Sequence, residues 1–148
     1  MKVLIIEDND KKLNGIVELV SDLGHLYEVA KSRDSAQNMI DAKDFKFVIL
    51  DMTLPEDDFD DSNLVPLAGM DILEIMHFEE IHTPTVILTG YDRFGRYDSS
   101  VSIDELTFEV NTRYNEIVKD IIYYDGVSDD WREQLKEHLE NHVKSINN

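Results

Sequence analysis

The sequence predicts an α/β domain whose parallel sheet is covered by helices on both faces. Two observations predict it. Five short apolar runs recur along the chain, at residues 3–6, 26–30, 45–50, 85–89 and 119–125. Between them lie stretches whose apolar residues repeat at steps of three and four, the period of a helix buried along one stripe. Strand and helix signals that alternate in this way imply a parallel sheet built from right-handed crossovers.

Taken in order, Val3-Leu4-Ile5-Ile6 is a β-branched-rich run that ends at Glu7-Asp8. Asn9-Asp10 supplies capping chemistry for a first helix with Leu13, Ile16, Val17, Val20 and Leu23 on its apolar face. Gly24 is placed to end that helix. Residues 26–30 read as the second strand. Residues 32–42 read as the second helix, capped by Ser32, with Ala36, Met39 and Ile40 inward. Phe45-Lys46-Phe47-Val48-Ile49-Leu50 is the third strand, buried on both faces. Asp51 sits at its C-terminal end and Pro55 turns the chain away.

Residues 56–68 carry five acids, no base and no clear period, and read as an exposed loop. A third helix is expected over 69–81, with Ile72, Leu73, Met76 and Ile81 as core contacts, before Thr83-Pro84 breaks it. Thr85-Val86-Ile87-Leu88-Thr89-Gly90 is the fourth strand. Residues 91–102 are polar and rich in turn residues, with Gly95 among them. Leu106, Val110, Tyr114, Ile117 and Val118 share one helical face. Residues 119–125 form the fifth strand. Ser128 caps a last helix striped by Trp131, Leu135, Leu139, Val143 and Ile146.

The 148 residues suit one domain, with no internal repeat and no second-domain boundary. A chain of this length buries roughly 70% of its unfolded surface, so no metal or disulfide staple is needed. The absence of cysteine removes thiolate chemistry. The net charge of −18, from 32 acidic and 14 basic residues, repels phosphate backbones and disfavours direct nucleic-acid binding. No apolar run approaches the ~20 residues of a membrane span. The apolar run after Met1 is too short for a signal peptide. A cytoplasmic protein is expected.

Ligands of open α/β sheets bind beyond the carboxyl ends of the strands. In a flavodoxin-like sheet of order 2-1-3-4-5, Glu7, Asp8, Asp51 and Thr89 occupy three neighbouring strand ends. Three carboxylates close together repel, and a divalent cation with a preference for oxygen removes the conflict. Mg2+, or Mn2+ in its place, could then screen an anionic nucleophile from an anionic phosphoryl group. Asp51 is the candidate nucleophile, and the Thr89 hydroxyl is a candidate donor to a phosphoryl oxygen.

At these residues the sequence resembles the receiver domain of bacterial response regulators, the phosphorylated half of two-component signalling. The matching motifs are Val-Leu-Ile-Ile-Glu7-Asp8, Val-Ile-Leu-Asp51-Met-Thr-Leu-Pro55, Gly69-Met-Asp-Ile-Leu and Pro84-Thr-Val-Ile-Leu-Thr89-Gly90. The match is good from Met1 to Gly90 and looser beyond. The resemblance implies that Asp51 accepts a phosphoryl group from a phosphohistidine of a sensor histidine kinase or phosphotransfer protein. It implies Mg2+ ligands at Asp8, Asp51 and the Thr53 main-chain carbonyl, with Glu7 assisting through water. Thr89 would follow the phosphoryl group, Gly90 would leave room for it, and a face on the last elements would change its preference for a protein effector. Such a receiver is not an enzyme, beyond its part in its own phosphorylation and dephosphorylation. With the receiver using the whole chain, no output domain is expected. Homodimerisation is left open.

Three features depart from the family. Tyr124 stands where the fifth strand usually ends in lysine. Ile121 aligns with the usual switch aromatic, with Tyr123 nearby. The acidic stretch at 56–68 and the long 91–120 region are extra, and are expected to fit this receiver to a particular partner. The Tyr124 substitution favours an alternative, a pseudo-receiver that binds protein without being phosphorylated.

Other readings fit less well. A haloacid-dehalogenase-type phosphatase needs an acid two residues after its nucleophile, where this chain has Thr53. A calcium loop starting at Asp58 would need glycine at Asn63 and glutamate at Gly69. His138 and His142, four apart on a helix, read as a solvated pair. Trp131 reads as core, and of Tyr123 and Tyr124 one should face inward and the other outward.

Overall fold

The computed structural model describes residues 1–41, 44–90, 93–94 and 101–147. The elements are β1 (Lys2–Ile6), α1 (Asp10–Asp22), β2 (Leu26–Ala30), α2 (Arg33–Asp41), β3 (Phe47–Leu50), β4 (Leu54–Asp57) and β5 (Asp60–Val65). They continue as α3 (Ala68–Phe78), β6 (Thr85–Thr89), β7 (Arg93–Phe94), β8 (Val101–Ser102), α4 (Ile103–Arg113), β9 (Val118–Tyr123) and α5 (Asp130–Ile146). The central sheet is parallel, in the order β2-β1-β3-β6-β9. This is the expected doubly wound order.

Strand parity divides the core into two layers. Leu4, Ile6, Val48, Leu50 and Ile87 face α2, α3 and α4, where Ile40, Ile72, Met76 and Val110 pack. Val3, Ile5, Phe47, Ile49, Val86, Leu88 and Ile122 face α1 and α5, where Ile16, Val20, Trp131 and Leu135 pack. Side chains alternate along a strand, so Glu7 and Asp51 continue the second set and project to the α1 side. The register Ile6↔Leu50 brings these two residues side by side. The Asp51 N–H donates to the Ile6 carbonyl at 3.0 Å, which fixes the strand end.

The helix starts follow local chemistry. Asn9 accepts from the Lys12 N–H at the start of α1. Ser32 accepts from the Ser35 N–H, and Ser35 Oγ accepts in return from the Ser32 N–H. Gly24, at φ +82°, takes the left-handed turn after α1. Among the described residues no helix is long and apolar enough to cross a membrane.

Several expectations are corrected. Residues 56–68 are not a loop: Leu54–Asp57 and Asp60–Val65 form an antiparallel hairpin. The Asp57 carboxylate accepts from the Phe59 N–H at 2.9 Å and closes the turn, so a local hydrogen bond overrides the low strand propensity of aspartate. The tip is exposed as expected, Phe59 fully so. Helix α3 stops at Phe78, and Ile81 is buried after it has ended. Tyr114 leaves the helix, and its carbonyl accepts from the Ile117 and Val118 N–H groups. Val118 therefore opens β9, and β9 ends at Tyr123. Ser128 does not cap α5; its hydroxyl donates to Asp125, which also accepts from the Val127 and Ser128 N–H groups. Ile146 is exposed rather than part of the α5 stripe. His138 and His142 are not a solvated pair: both are half-buried, with His138 Nε2 2.8 Å from Asp120 Oδ2 and the His142 ring against Phe47. Ala42, and residues 91–100 apart from 93–94, lie outside the described residues.

Candidate functional site: an acidic cleft at the strand ends

The carboxyl ends of β1 and β3 bring Glu7, Asp8 and Asp51 together, with one oxygen from each lying within 4.8 Å of the others. They line a cleft of about 380 Å³ with Lys12, Thr53, Gly90 and Tyr124. Leu64, from the second strand of the acidic hairpin, and Asp125 also line it. The extra 56–68 segment thus borders the site. The Thr53 hydroxyl donates to the Pro66 carbonyl at 3.0 Å and ties the hairpin base to the strand end.

Two of the carboxylates are held by backbone donors. Asp51 Oδ1 accepts from the Met52 N–H at 2.9 Å. Glu7 Oε2 accepts from the N–H groups of Asp8 and Asn9, at 3.2 and 3.1 Å. Glu7 is 1% exposed and Asp51 4%, so charge there is poorly solvated. Burial pushes the Glu7 carboxyl up to about 8, against the opposing pull of Lys12. Burial likewise raises Asp51, again opposed by Lys12.

Lys12 was not visible as a site residue from sequence alone. Its ammonium is 2.6 Å from Glu7 Oε1 and 3.4 Å from Asp51 Oδ1, and it donates to the Leu88 carbonyl. The side chain is 4% exposed. The available signal was spacing: Lys12, Ile16 and Val20 recur every four residues, and the latter two are fully buried. A lysine on that stripe cannot point at solvent.

The other expected residues divide. Thr89 is buried at the end of β6, and its neighbour Gly90, rather than Thr89, lines the cleft. The Thr89 carbonyl accepts from the Tyr124 N–H at 2.9 Å. In sheet register Thr89 lies opposite Tyr123, while Ile121 lies opposite Ile87. The aromatic beside Thr89 is therefore Tyr123, which is half-exposed. Tyr124 turns inward, its ring 5.4 Å from that of Trp131 and 5.8 Å from the Lys12 ammonium.

No family model matches the chain. Individual proteins do. The chain is 30% identical over 143 residues to the Detocs response regulatory protein DtcB of Enterobacter cloacae, covering 91% of this chain and 95% of that one. It superposes on a response regulator receiver domain protein from Clostridium thermocellum with a TM-score of 0.67 at 21% identity, covering 99% and 96% of the two chains. It superposes on the response regulator TrrA of Thermotoga maritima, solved in complex with Mg2+–BeF, with a TM-score of 0.63 at 13% identity, covering 95% and 97%. The parallel sheet of order β2-β1-β3-β6-β9 is the fold these two share with it. With the match to DtcB along nearly its whole length, the chain belongs to the response regulator receiver family of two-component signalling.

Proposed function

We propose that the protein accepts a phosphoryl group on Asp51, with a divalent cation held by Glu7, Asp8 and Asp51, and signals through protein contacts. The observation that carries this reading is the gathering of three carboxylates within 4.8 Å at adjacent strand ends. Lys12 balances only one of their charges. With all three ionised, two negative charges are left over, a donor set of hard oxygens that fits Mg2+ or Mn2+. Thr53, on the same cleft, would add its main-chain carbonyl. When bound, the cation supplies charge neutralisation between the carboxylate and the phosphoryl oxygens. The complex of TrrA with Mg2+–BeF is consistent with this chemistry on the same fold.

The residues of the chain do the rest. The donor is a phosphohistidine on a sensor histidine kinase or phosphotransfer protein. One Asp51 oxygen attacks phosphorus in line; the O–P bond forms as the N–P bond breaks, and the imidazole leaves and takes up a proton from solvent. The Met52 N–H holds Asp51 Oδ1 and orients the carboxylate. The Thr89 hydroxyl, buried behind the cleft wall, would turn toward Asp51 to donate to a phosphoryl oxygen. Gly90 lets the chain after β6 pass close to the Tyr124 carbonyl, which would stand 3.3 Å from a Cβ there. Tyr123, beside Thr89 in the sheet, carries the change to the exposed side of β9. The protein acts on no external substrate. Its charge of −18 favours a basic surface on the effector, and a cytoplasmic location suits both partners.

Tyr124 at the end of the last strand favours a second reading, a pseudo-receiver that binds its partner without phosphorylation. Intact mass spectrometry after incubation with acetyl phosphate and Mg2+ separates the two. A phosphate adduct on the wild type, absent from Asp51→Ala, is expected. No adduct under any Mg2+ condition, with partner binding intact in Asp51→Ala, would establish the pseudo-receiver.

A further inference from the structure

We infer that Lys12, reaching in from helix α1, is the cation that contacts the phosphoryl group on Asp51, in the part a lysine at the end of the last strand would otherwise play. The inference rests on the phosphorylation proposed above.

An ammonium has three N–H donors. In Lys12 two are engaged, by Glu7 Oε1 at 2.6 Å and by the Leu88 carbonyl. The third addresses Asp51 Oδ1 at 3.4 Å, a longer contact. The short pair fixes the head group, and the long contact leaves one donor facing the reacting carboxylate. An oxygen of a phosphoryl group joined to Asp51 would be a better acceptor for that donor than the carboxylate is.

The place of the usual lysine is also filled. The Tyr124 ring packs edge-on against Trp131 and stands 5.8 Å from the Lys12 ammonium. The aromatic pair fills the space at the end of β9, and Lys12 enters beside it from α1, on the same face of the sheet as α5. No other lysine or arginine among the described residues lines this cleft. Charge supports the same assignment. Three ionised carboxylates are neutralised by a divalent cation together with Lys12. Phosphorylation of Asp51 adds one further negative charge, and without Lys12 the deficit doubles.

The competing role is a counter-ion that only keeps the carboxylates folded together. Lys12→Met keeps the length and removes the charge. Phosphoryl uptake from acetyl phosphate in saturating Mg2+, read by intact mass, should fall about 10–100-fold, the range for loss of a charge-assisted hydrogen bond. Mg2+ affinity, read without phosphodonor by Trp131 fluorescence, should hold or rise, because a competing cation has gone. Adding Tyr124→Lys to Lys12→Met should restore uptake by at least tenfold. Wild-type uptake in Lys12→Met would overturn the inference while leaving Asp51 phosphorylation standing; no uptake by the wild type would remove the underlying reading instead. A third measurement needs no variant. Beryllofluoride with Mg2+ should shift the Lys12 Nζ resonance of the wild-type protein, and an unmoved resonance on saturation would overturn the assignment even if Lys12→Met did not fold.

Discussion

Replacing Gly69 by alanine tests how tightly the site is built into the fold. Gly69 lies in the first turn of α3, and its N–H donates to the Met52 carbonyl at 3.0 Å. A Cβ added there would stand 2.5 Å from Met52 Cε, 2.7 Å from the Asp51 carbonyl oxygen and 3.0 Å from Met52 Cα. The Met52 methyl can swing aside. The other two contacts are backbone, so either the start of α3 or the Asp51–Met52 peptide must move by several tenths of an ångström. Over-packing of this kind costs about 1–3 kcal/mol. Alanine recovers up to about 1 kcal/mol of helix propensity, which leaves a net loss of about 0–3 kcal/mol, centred on about 1.5 kcal/mol. For a chain of this size the central value lowers Tm by about 3–6 °C. The displaced peptide carries the Asp51 carboxylate, and misplacement approaching 1 Å costs on the order of 100-fold in a positioned reaction. Thermal melting by circular dichroism, with phosphoryl uptake measured in parallel, checks both effects. A Gly69→Ala protein that melts at or above the wild type would refute the reasoning, because helix propensity would then have won over the backbone contacts.

Three further outcomes are expected. The raised Glu7 carboxyl, at about 8, binds its proton more tightly folded than unfolded, so the stability it contributes is full below its unfolded value near 4.5 and is lost as pH rises through about 8. Without metal, the melting temperature of the wild type relative to Glu7→Gln should therefore fall between those limits, and Mg2+ affinity should climb up to about tenfold per pH unit as that proton is displaced; a flat difference would contradict it. Thr53→Val removes the hydroxyl bond to the Pro66 carbonyl and should cost about 1 kcal/mol in chemical denaturation, with faster amide exchange in the hairpin. Ser32→Ala removes the acceptor for the Ser35 N–H at the start of α2 and should cost about 1 kcal/mol, measured the same way; a cost under a few tenths would mean that water satisfies the freed N–H.

What was legible in the sequence is what a buried two-faced strand must show. Val48, Ile49 and Leu50 form an unbroken apolar run closed off by Asp51 and Pro55, and acids that follow such runs lie at strand ends, which places Glu7, Asp8 and Asp51 together. The hairpin was hidden because its turn is made by side-chain chemistry: Asp57 accepting from the Phe59 N–H leaves no hydrophobic period to read. The start of β9 was hidden because Tyr114, Ile117 and Val118 are all buried and fit a helical spacing as well as a turn followed by a strand. Ser128 carries a capping hydroxyl but turns it back to Asp125, which closes the preceding turn through the Val127 and Ser128 N–H groups, and α5 starts after Asp129 with no side-chain cap. Lys12 gives no signal by residue type, because lysine faces solvent by default. Only the register of α1 against the sheet shows where its head group goes.

That register also explains how the cation can move without a change of fold. Side-chain alternation sends Glu7 and Asp51 to the same face as Ile5 and Ile49, the face that α1 covers. Asn9 caps α1 one residue past Asp8, so the first turn of the helix lies directly over the acidic strand ends. A lysine at the third helical position, one turn before Ile16, then meets Glu7 and Asp51 with no insertion and no bend. The end of β9 approaches the same cleft from the other side, through Tyr124. For the phosphorylation proposed above, a cation is needed at one point between them, and either wall can deliver it. In this chain the wall that follows β1 does so. The aromatic ring left at the end of β9 packs on Trp131, so the two positions are joined in one cluster and should be mutated together.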